Sequence, residues 1–456
     1  MTAGTFDTRG DSVPPNAAST ASTFIAEHRS STNTVSPDYV SVSFRRHNGQ
    51  VGDRRSNAHQ LHWYPAKLFY RIPIDILEAL ALPSGSTVLD PFCGSGTVLV
   101  ESRLRNHVAI GLDINPLSRL VSKVKTTTLH ESTATSHLDA ICNKAKSLRR
   151  TPKSDVLPSF WFRVPAQNAL FRLLKAIQNH DISPAYRDFF LATLSSIVRR
   201  CSLADPNIPP LVRLREDRIR VAGPRYKRAF DHAMALTNAG VYTAFARAAQ
   251  QNIQLVSRQD SIEDLPPAAV YARSALNSGL PSESVDLVIT SPPYCGAQKY
   301  VRTFKLELGL LGLTQTEIKA IDKQTLGTEG VTKAMMQKPR CLSTEQRDAL
   351  VAVEELDARR AAILATYLAG LERFAHELFR LLSPGGAAFL TFGTSKFAGI
   401  EVDLASHFAH FAHRAGLKTV ARLQDRIPSR GLITKRHRSA SVIPTENILW
   451  LRKDCD

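Results

Sequence analysis

The chain has 456 residues, 43% hydrophobic and 22% charged, a globular balance spread over a length that calls for more than one structural unit. No apolar run reaches the roughly 18 residues a membrane helix needs, and the N-terminus lacks a signal core and mixes Asp7, Asp11 and Glu27 with few arginines, unlike a transit peptide. A formal charge of +17 points to a polyanionic partner, nucleic acid first, against the plainer reading of solubility alone.

The six cysteines (Cys93, Cys142, Cys201, Cys295, Cys341 and Cys455) are scattered and form no Cys-x-x-Cys pair. That pattern speaks against a metal site or a disulfide framework and fits a reducing, cytoplasmic setting.

Residues 1–57 are rich in Ser, Thr, Asn and Arg and read as a disordered or loosely ordered lead-in. Ile74, Leu77, Leu80 and Leu82 then space a short amphipathic helix before Pro83. Val88 and Leu89 end an apolar strand, a glycine turn follows, and Thr97 to Arg105 reads as a helix. A second strand, 108–112, ends at Asp113, giving the strand, glycine loop, helix, strand, acid order of a doubly wound sheet.

Residues 121–265 break that rhythm with helical patterns such as "AQNALFRLLKAIQNH" and "YRDFFLATLSSIVRR". Between Arg199 and Arg228 nine Lys or Arg stand against three acids, among them Arg199, Arg200, Arg213, Arg215, Arg225 and Lys227. Such a run suits phosphate contact from loops, or else a solvated helix face. The α/β rhythm resumes with "SVDLVIT", a helix over 367–382, a strand in "SPGGAAFLTFG", a helix in "DLASHFAHFAHRAG" and a closing strand, "ENILWLRK". The expected organisation is therefore a sheet domain from 58–120 and 266–456, with 121–265 as a helical insertion. The basic run "RIPSRGLITKRHR", with Arg430 and Lys435, reads either as a solvated loop or as a DNA-backbone contact.

Two stretches carry chemistry. In "DPFCGSGT" Gly94 and Gly96 sit in a strand-to-helix turn where a ligand can approach the backbone. No Lys follows Gly96, as a phosphate-binding loop requires, and Leu99 stands where a dinucleotide fingerprint has its third glycine. Asp113 suits ribose hydroxyls, so a nucleoside without phosphates, S-adenosylmethionine, fits the pattern; a purely structural turn is the competing reading. In "TSPPY" the two prolines fix their carbonyls, so Ser291 and the Pro292 carbonyl can both accept hydrogens from one exocyclic amino group. Tyr294 offers a face for stacking a flipped base, with a core tyrosine on a strand-closing loop as the alternative.

With both motifs present, residues 59–118 and 282–453 resemble the amino-methyltransferases of DNA, the cytosine-N4 and adenine-N6 class, in their bacterial form. "DPFCGSGT" resembles the cofactor motif of that family, "TSPPY" its catalytic motif, and "HWYPAKL" the segment lining the methionine end of the cofactor. "YVRTFKLELGLLGL" and "LGTEG" resemble stretches that follow the catalytic motif. The resemblance implies a Rossmann-like methyltransferase sheet, mostly parallel, with a largely helical insertion. It implies S-adenosylmethionine as cofactor, held by Tyr64, Pro65, Lys67, Asp90, Phe92, Gly94, Gly96, Thr97 and Asp113. It implies catalysis by Ser291, Pro292, Pro293 and Tyr294 on double-stranded DNA, with a restriction endonuclease as a further partner.

Serine in the first catalytic position is typical of cytosine-N4 enzymes, whereas adenine-N6 enzymes more often carry Asp or Asn. The motif order places the target reader in 121–265, with 301–365 as rival or helper. One departure is Tyr271 in "VYARSAL", where members often have an acid that holds the cofactor's adenine. RNA base methylation and non-catalytic nucleic-acid binding are the competing functions. Cys93 and Cys295 are read as bystanders, since Cys295 follows Tyr rather than Pro. His59 and His62 are expected to pack near the cofactor or touch phosphate, and His376 and His407 to be satisfied in helices.

Overall fold

A computed structural model describes residues 20–31, 33–36, 38–45, 58–65, 67–149, 158–208, 211–257, 265–295, 300–332, 336, 339–427 and 445–455. Short β-branched and leucine-rich runs supply the strands. In chain order they are β1 (Tyr39–Val42), β2 (Thr87–Asp90), β3 (Val108–Leu112), β4 (Ala268–Tyr271), β5 (Val285–Thr290), β6 (Leu382–Gly393), β7 (Ser395–Phe397), β8 (Ile400–Val402), β9 (Lys418–Arg426) and β10 (Thr445–Arg452).

Eight of them form one sheet in the order β1-β9-β10-β6-β5-β2-β3-β4, while β7 and β8 make a separate ribbon. All neighbours in the large sheet are parallel except β10, which runs antiparallel to both β6 and β9. The Rossmann-like, mostly parallel sheet implied by the motifs is therefore present.

The period of two along the strands feeds two apolar layers. Val88, Leu287 and Ile289 face one layer with Ile72, Ile76, Val98, Phe389 and Trp450. Leu89 and Val288 face the other with Leu364, Leu371, Phe374 and Phe408. Both faces are thus covered, as a parallel sheet demands. The chain runs from β2 to β3 on one side and later places β5 on the other side of β2. The switch point lies between β2 and β5, and the crevice outside the carboxyl ends of such strands is where open α/β sheets bind ligands.

Between β3 and β4 the chain is helical, with helices Glu131–Ser147, Val164–Gln178, Pro184–Val198, Pro224–Ala235 and Asn238–Ser257. Leu138, Ile141, Leu170, Phe189, Phe190, Phe245 and Ile253 give these helices a core of their own, which also takes in Leu306 and Leu310 from beyond the catalytic motif.

The lead-in expectation needs correction for residues 20–45. A helix, Ala21–His28, is capped by Thr20, and β1 pairs in parallel with β9. Phe24, Ile25, Val42 and Phe44 are buried in the sheet's apolar layer, and the Tyr39 hydroxyl donates to both Asp403 carboxylate oxygens at 2.8 Å. Four apolar anchors outweigh the polar composition around them. Arg430 and Lys435 lie outside the described residues, and β9 reaches Arg426, the first residue of that basic run. Among the described residues, no helix is long and apolar enough to cross a membrane.

Candidate active site

The parallel register brings the ends of β2, β3 and β5 to one edge, with Asp90 opposite Gly111 and Leu89 opposite Val288. A cleft opens there, in the place where open α/β sheets bind ligands. Its walls include Phe92, Gly94 and Asp113 from the cofactor motif, Ser291 and Pro293 from the catalytic motif, and Tyr64 from the segment before β2. Three stretches far apart in sequence therefore meet in one place.

The glycine turn is built by backbone freedom and by Asp113. Gly94 and Gly96 adopt φ of 47° and 75°, the left-handed region that favours glycine. The Asp113 carboxylate accepts from the Gly94 amide at 3.1 Å and from the Asn115 amide at 2.7 Å. Burial nevertheless pushes its pKa up, against those hydrogen bonds. The second glycine serves packing: a methyl at Gly96 would come within 2.9 Å of the Ser122 Cα. Thr97 is buried at the first position of the helix Thr97–Arg103.

Asp90 does not line the cleft but braces it. Its carboxylate accepts from the Phe92 amide at 3.1 Å and from the Thr290 hydroxyl at 2.6 Å, and burial raises its pKa to about 7. Phe92 closes one wall and packs edge-on against Phe374. Tyr64 donates to, or accepts from, Ser118 at 2.7 Å across the cleft floor.

Lys67 holds the chain rather than the cleft. Its ammonium donates to the carbonyls of His59 at 2.7 Å and His62 at 2.9 Å, and burial lowers its pKa to about 8. Pro65 is buried and outside the cleft lining. His59 meets Glu101 at 2.7 Å and His62 meets Ser195 at 2.9 Å, both inside the protein. Burial drives the His62 pKa down to about 3, so it is a neutral packing residue.

In the catalytic motif Pro292 is buried, and the Tyr367 hydroxyl donates to the Pro293 carbonyl at 3.0 Å. Tyr294 lines a second cavity, whose walls share Val301, Thr325 and Leu326 with the first. The "LGTEG" stretch supplies Gly327, Thr328, Glu329 and Gly330 to that cavity. Cys295 is buried, and burial raises its thiol pKa to about 12, which leaves it protonated.

Several lining residues escaped the sequence reading. Asn115 caps the helix Pro116–Lys125 by accepting from the Leu117 amide, a role that Asn before Pro signals. Arg273 to Leu276 come from an irregular loop, and Gln324 and Thr325 from the C-terminal end of the helix Gln315–Gln324, just before the "LGTEG" stretch. Tyr271, where an acid was expected, ends β4 at 38% exposure, with the Arg273 guanidinium 5.0 Å over its ring.

The basic residues of the insertion divide. Arg199 is only 6% exposed; it donates to the carbonyls of Asp205, Ile208 and Thr303 and lies 5.4 Å over the Trp63 ring. Arg213 donates to the Phe160 carbonyl and stacks on its ring. Arg215 pairs with Asp217, and Lys227 with Asp231. Arg200 and Arg225 are exposed.

Comparison with known proteins agrees with this geometry. Residues 35–119 match the N6/N4 DNA methylase family model. The match, the sheet and the paired motifs support a DNA amino-methyltransferase of the N4/N6 class, with S-adenosylmethionine as its cofactor.

The chain is 24% identical to the Type II methyltransferase M.MvaI of Kocuria varians, over 91% of this chain and 96% of that protein. It is likewise 24% identical to the Type II methyltransferase M.BsoBI of Geobacillus stearothermophilus, over 73% of each. A SAM-dependent methyltransferase structure from Methanosarcina mazei, 9% identical, overlaps 82% of this chain and 95% of that one at a TM-score of 0.30.

Proposed function

We propose that the protein is a site-specific DNA methyltransferase that modifies the exocyclic amino group of an extruded base, cytosine N4 in preference to adenine N6. One observation carries the reading: Ser291 and Pro293 line the same cleft as Gly94 and Asp113, while Tyr294 lines the adjoining cavity.

The cleft fits S-adenosylmethionine by its chemistry. It offers a carboxylate, Asp113, for ribose hydroxyls, apolar walls from Phe92 and Leu276, and a glycine turn without a phosphate-binding lysine. Bound there, the cofactor supplies an activated methyl group; the protein supplies position and electrostatics. Tyr294 stacks the extruded base. Ser291 Oγ and the Pro292 carbonyl accept the two amino hydrogens and draw the nitrogen lone pair out of conjugation. The Tyr367 hydroxyl occupies the Pro293 carbonyl and stops that part of the loop from turning. With the cofactor bound, its methyl group would pass from sulfur to the amino nitrogen held by Ser291 Oγ and the Pro292 carbonyl, and one amino proton would leave to water. The uncompensated basic balance of the chain suits duplex DNA as the substrate.

Incubating the full-length protein with labelled S-adenosylmethionine and, in separate reactions, unmodified duplex DNA or tRNA, followed by digestion and nucleoside mass spectrometry, tests the reading. N4-methylcytosine is the expected product. N6-methyladenine would keep the class and overturn the base. Label in tRNA and none in DNA would overturn the substrate.

A further inference from the structure

We propose that Arg302 and Arg359 clamp the phosphates beside the extruded nucleotide, holding the distorted backbone at the mouth of the Tyr294 cavity. The proposal rests on the DNA-methylation reading and adds to it two DNA-positioning residues outside the cofactor and catalytic motifs.

Both arginines line the cavity that contains Tyr294, and both are exposed. Arg302 lies in the short helix Tyr300–Thr303, just after the catalytic loop. Arg359 opens the long helix Ala358–Leu381, which comes from a different part of the chain. Two elements thus deliver one guanidinium each to a single opening.

Neither guanidinium forms an ion pair or a hydrogen bond with another described residue. The contrast with their surroundings is informative. Glu329, which also lines the cavity, is paired with Arg360 at 3.1 Å. Farther away, Arg215 and Lys227 are neutralised by neighbouring acids, and Arg199 is buried. Asp322 lines the cavity too, yet neither it nor Glu329 pairs with Arg302 or Arg359 among the described residues.

Extruding a base rotates the nucleotide about its backbone and costs a few kcal/mol of unstacking and unpairing. The two flanking phosphates are then forced into fixed, non-helical positions. A planar guanidinium meets a phosphate with two parallel charge-assisted hydrogen bonds, so a pair of arginines across the opening suits two phosphates. Such contacts fix register and orientation and carry no base information.

The test uses the full-length enzyme, S-adenosylmethionine and unmethylated bacterial genomic DNA as methyl acceptor, over a series of salt concentrations. The variants are Arg302→Gln, Arg359→Gln, their double, and Arg302→Lys and Arg359→Lys. Arg29→Gln serves as control; Arg29 lies by the Leu80–Leu82 turn at the opposite end of the sheet. Each Gln variant is expected to raise the KM for DNA on the order of tenfold. Each should also lower the log–log salt slope by about one. The KM for S-adenosylmethionine should stay unchanged, the Lys variants should recover part of the loss, and the control should behave as wild type. Gln variants with wild-type DNA KM and salt slope would overturn the clamp, as would a control that shifts equally. If the wild-type enzyme methylates no DNA, the functional reading fails instead, and the two failures are distinguishable.

Discussion

The Thr290 hydroxyl donates a 2.6 Å hydrogen bond to Asp90 Oδ1, joining the residue before the proline motif to the acid that opens the glycine turn. The same oxygen accepts from the Phe92 amide at 3.1 Å. Cofactor turn and catalytic loop are therefore fastened to each other across β2 and β5, not merely adjacent. Thr290→Val removes the donor and leaves a buried carboxyl short of a partner, at a cost of about 1–3 kcal/mol. The melting temperature and the affinity for S-adenosylmethionine should both fall, while Thr290→Ser should recover most of each. Thermal unfolding and calorimetric titration measure the two, and a Val variant equal to wild type in both would refute the brace.

The two glycines of the turn should respond differently to alanine. A methyl at Gly94 would sit 3.7 Å from the nearest Tyr64 atom, an ordinary contact, whereas at Gly96 it would lie 2.9 Å from the Ser122 Cα. Both carry positive φ, so both substitutions strain the turn. Only Gly96→Ala adds overpacking against backbone, which typically costs about 1–3 kcal/mol more. Chemical denaturation should rank wild type above Gly94→Ala and Gly94→Ala above Gly96→Ala; the reverse order would contradict this account of the turn.

Much of this arrangement is legible in the residues. The glycine turn, its following helix and Asp113 are local features, each announced by neighbours in sequence. β5 and the proline loop are announced the same way. Residues 20–45 were misread because composition averages over Phe24, Ile25, Val42 and Phe44, whose burial depends on β9, hundreds of positions away in sequence. Lys67 and Asp90 have the residue types of ligands, yet their partners are backbone carbonyls for one and Thr290 for the other. Charge counting placed Arg199 at a surface; the carbonyls that enclose it become neighbours only after folding.

Arg199 therefore separates stability from DNA contact. Its guanidinium joins the helical unit to Thr303, just past the catalytic loop, and supports the half-exposed Trp63 from beneath. Arg199→Ala leaves three carbonyls without their donor and should cost about 3 kcal/mol or more. The melting temperature should drop sharply. The salt slope for DNA should not change, because no phosphate contact is lost. Arg200→Gln, at an exposed neighbour, should leave the melting temperature alone.

At the catalytic loop, Ser291→Ala and Tyr294→Ala should retain S-adenosylmethionine binding and lose turnover. Loss of an aromatic stacking face is worth about 1–3 kcal/mol, or roughly five- to 150-fold in kcat/KM for DNA. Tyr294→Phe keeps the ring and should keep most of the rate. Single-turnover transfer of labelled methyl groups reads the effect, and full activity in both alanine variants would remove these residues from the mechanism.

Glu307 gives the cleanest pH signature. It is fully enclosed, its Oε2 has no hydrogen-bond partner, and burial raises its pKa from 4.5 to about 7 despite the Arg199 charge nearby. Between those values the folded protein holds a proton that the unfolded chain has released, so stability falls as pH rises. The contribution is complete below the unfolded value and is lost as pH climbs through about 7. Glu307→Gln is neutral throughout and escapes that loss. The variant and wild type should melt together near pH 4, then diverge, with the variant the more stable at about pH 8. Asp75 and Asp90 titrate in the same direction, and His62, held near 3, in the opposite one. All three are common to both proteins, so they cancel in the difference between the two melting curves. A gap that stays constant from acid to alkaline pH would show that Glu307 is not the group responsible.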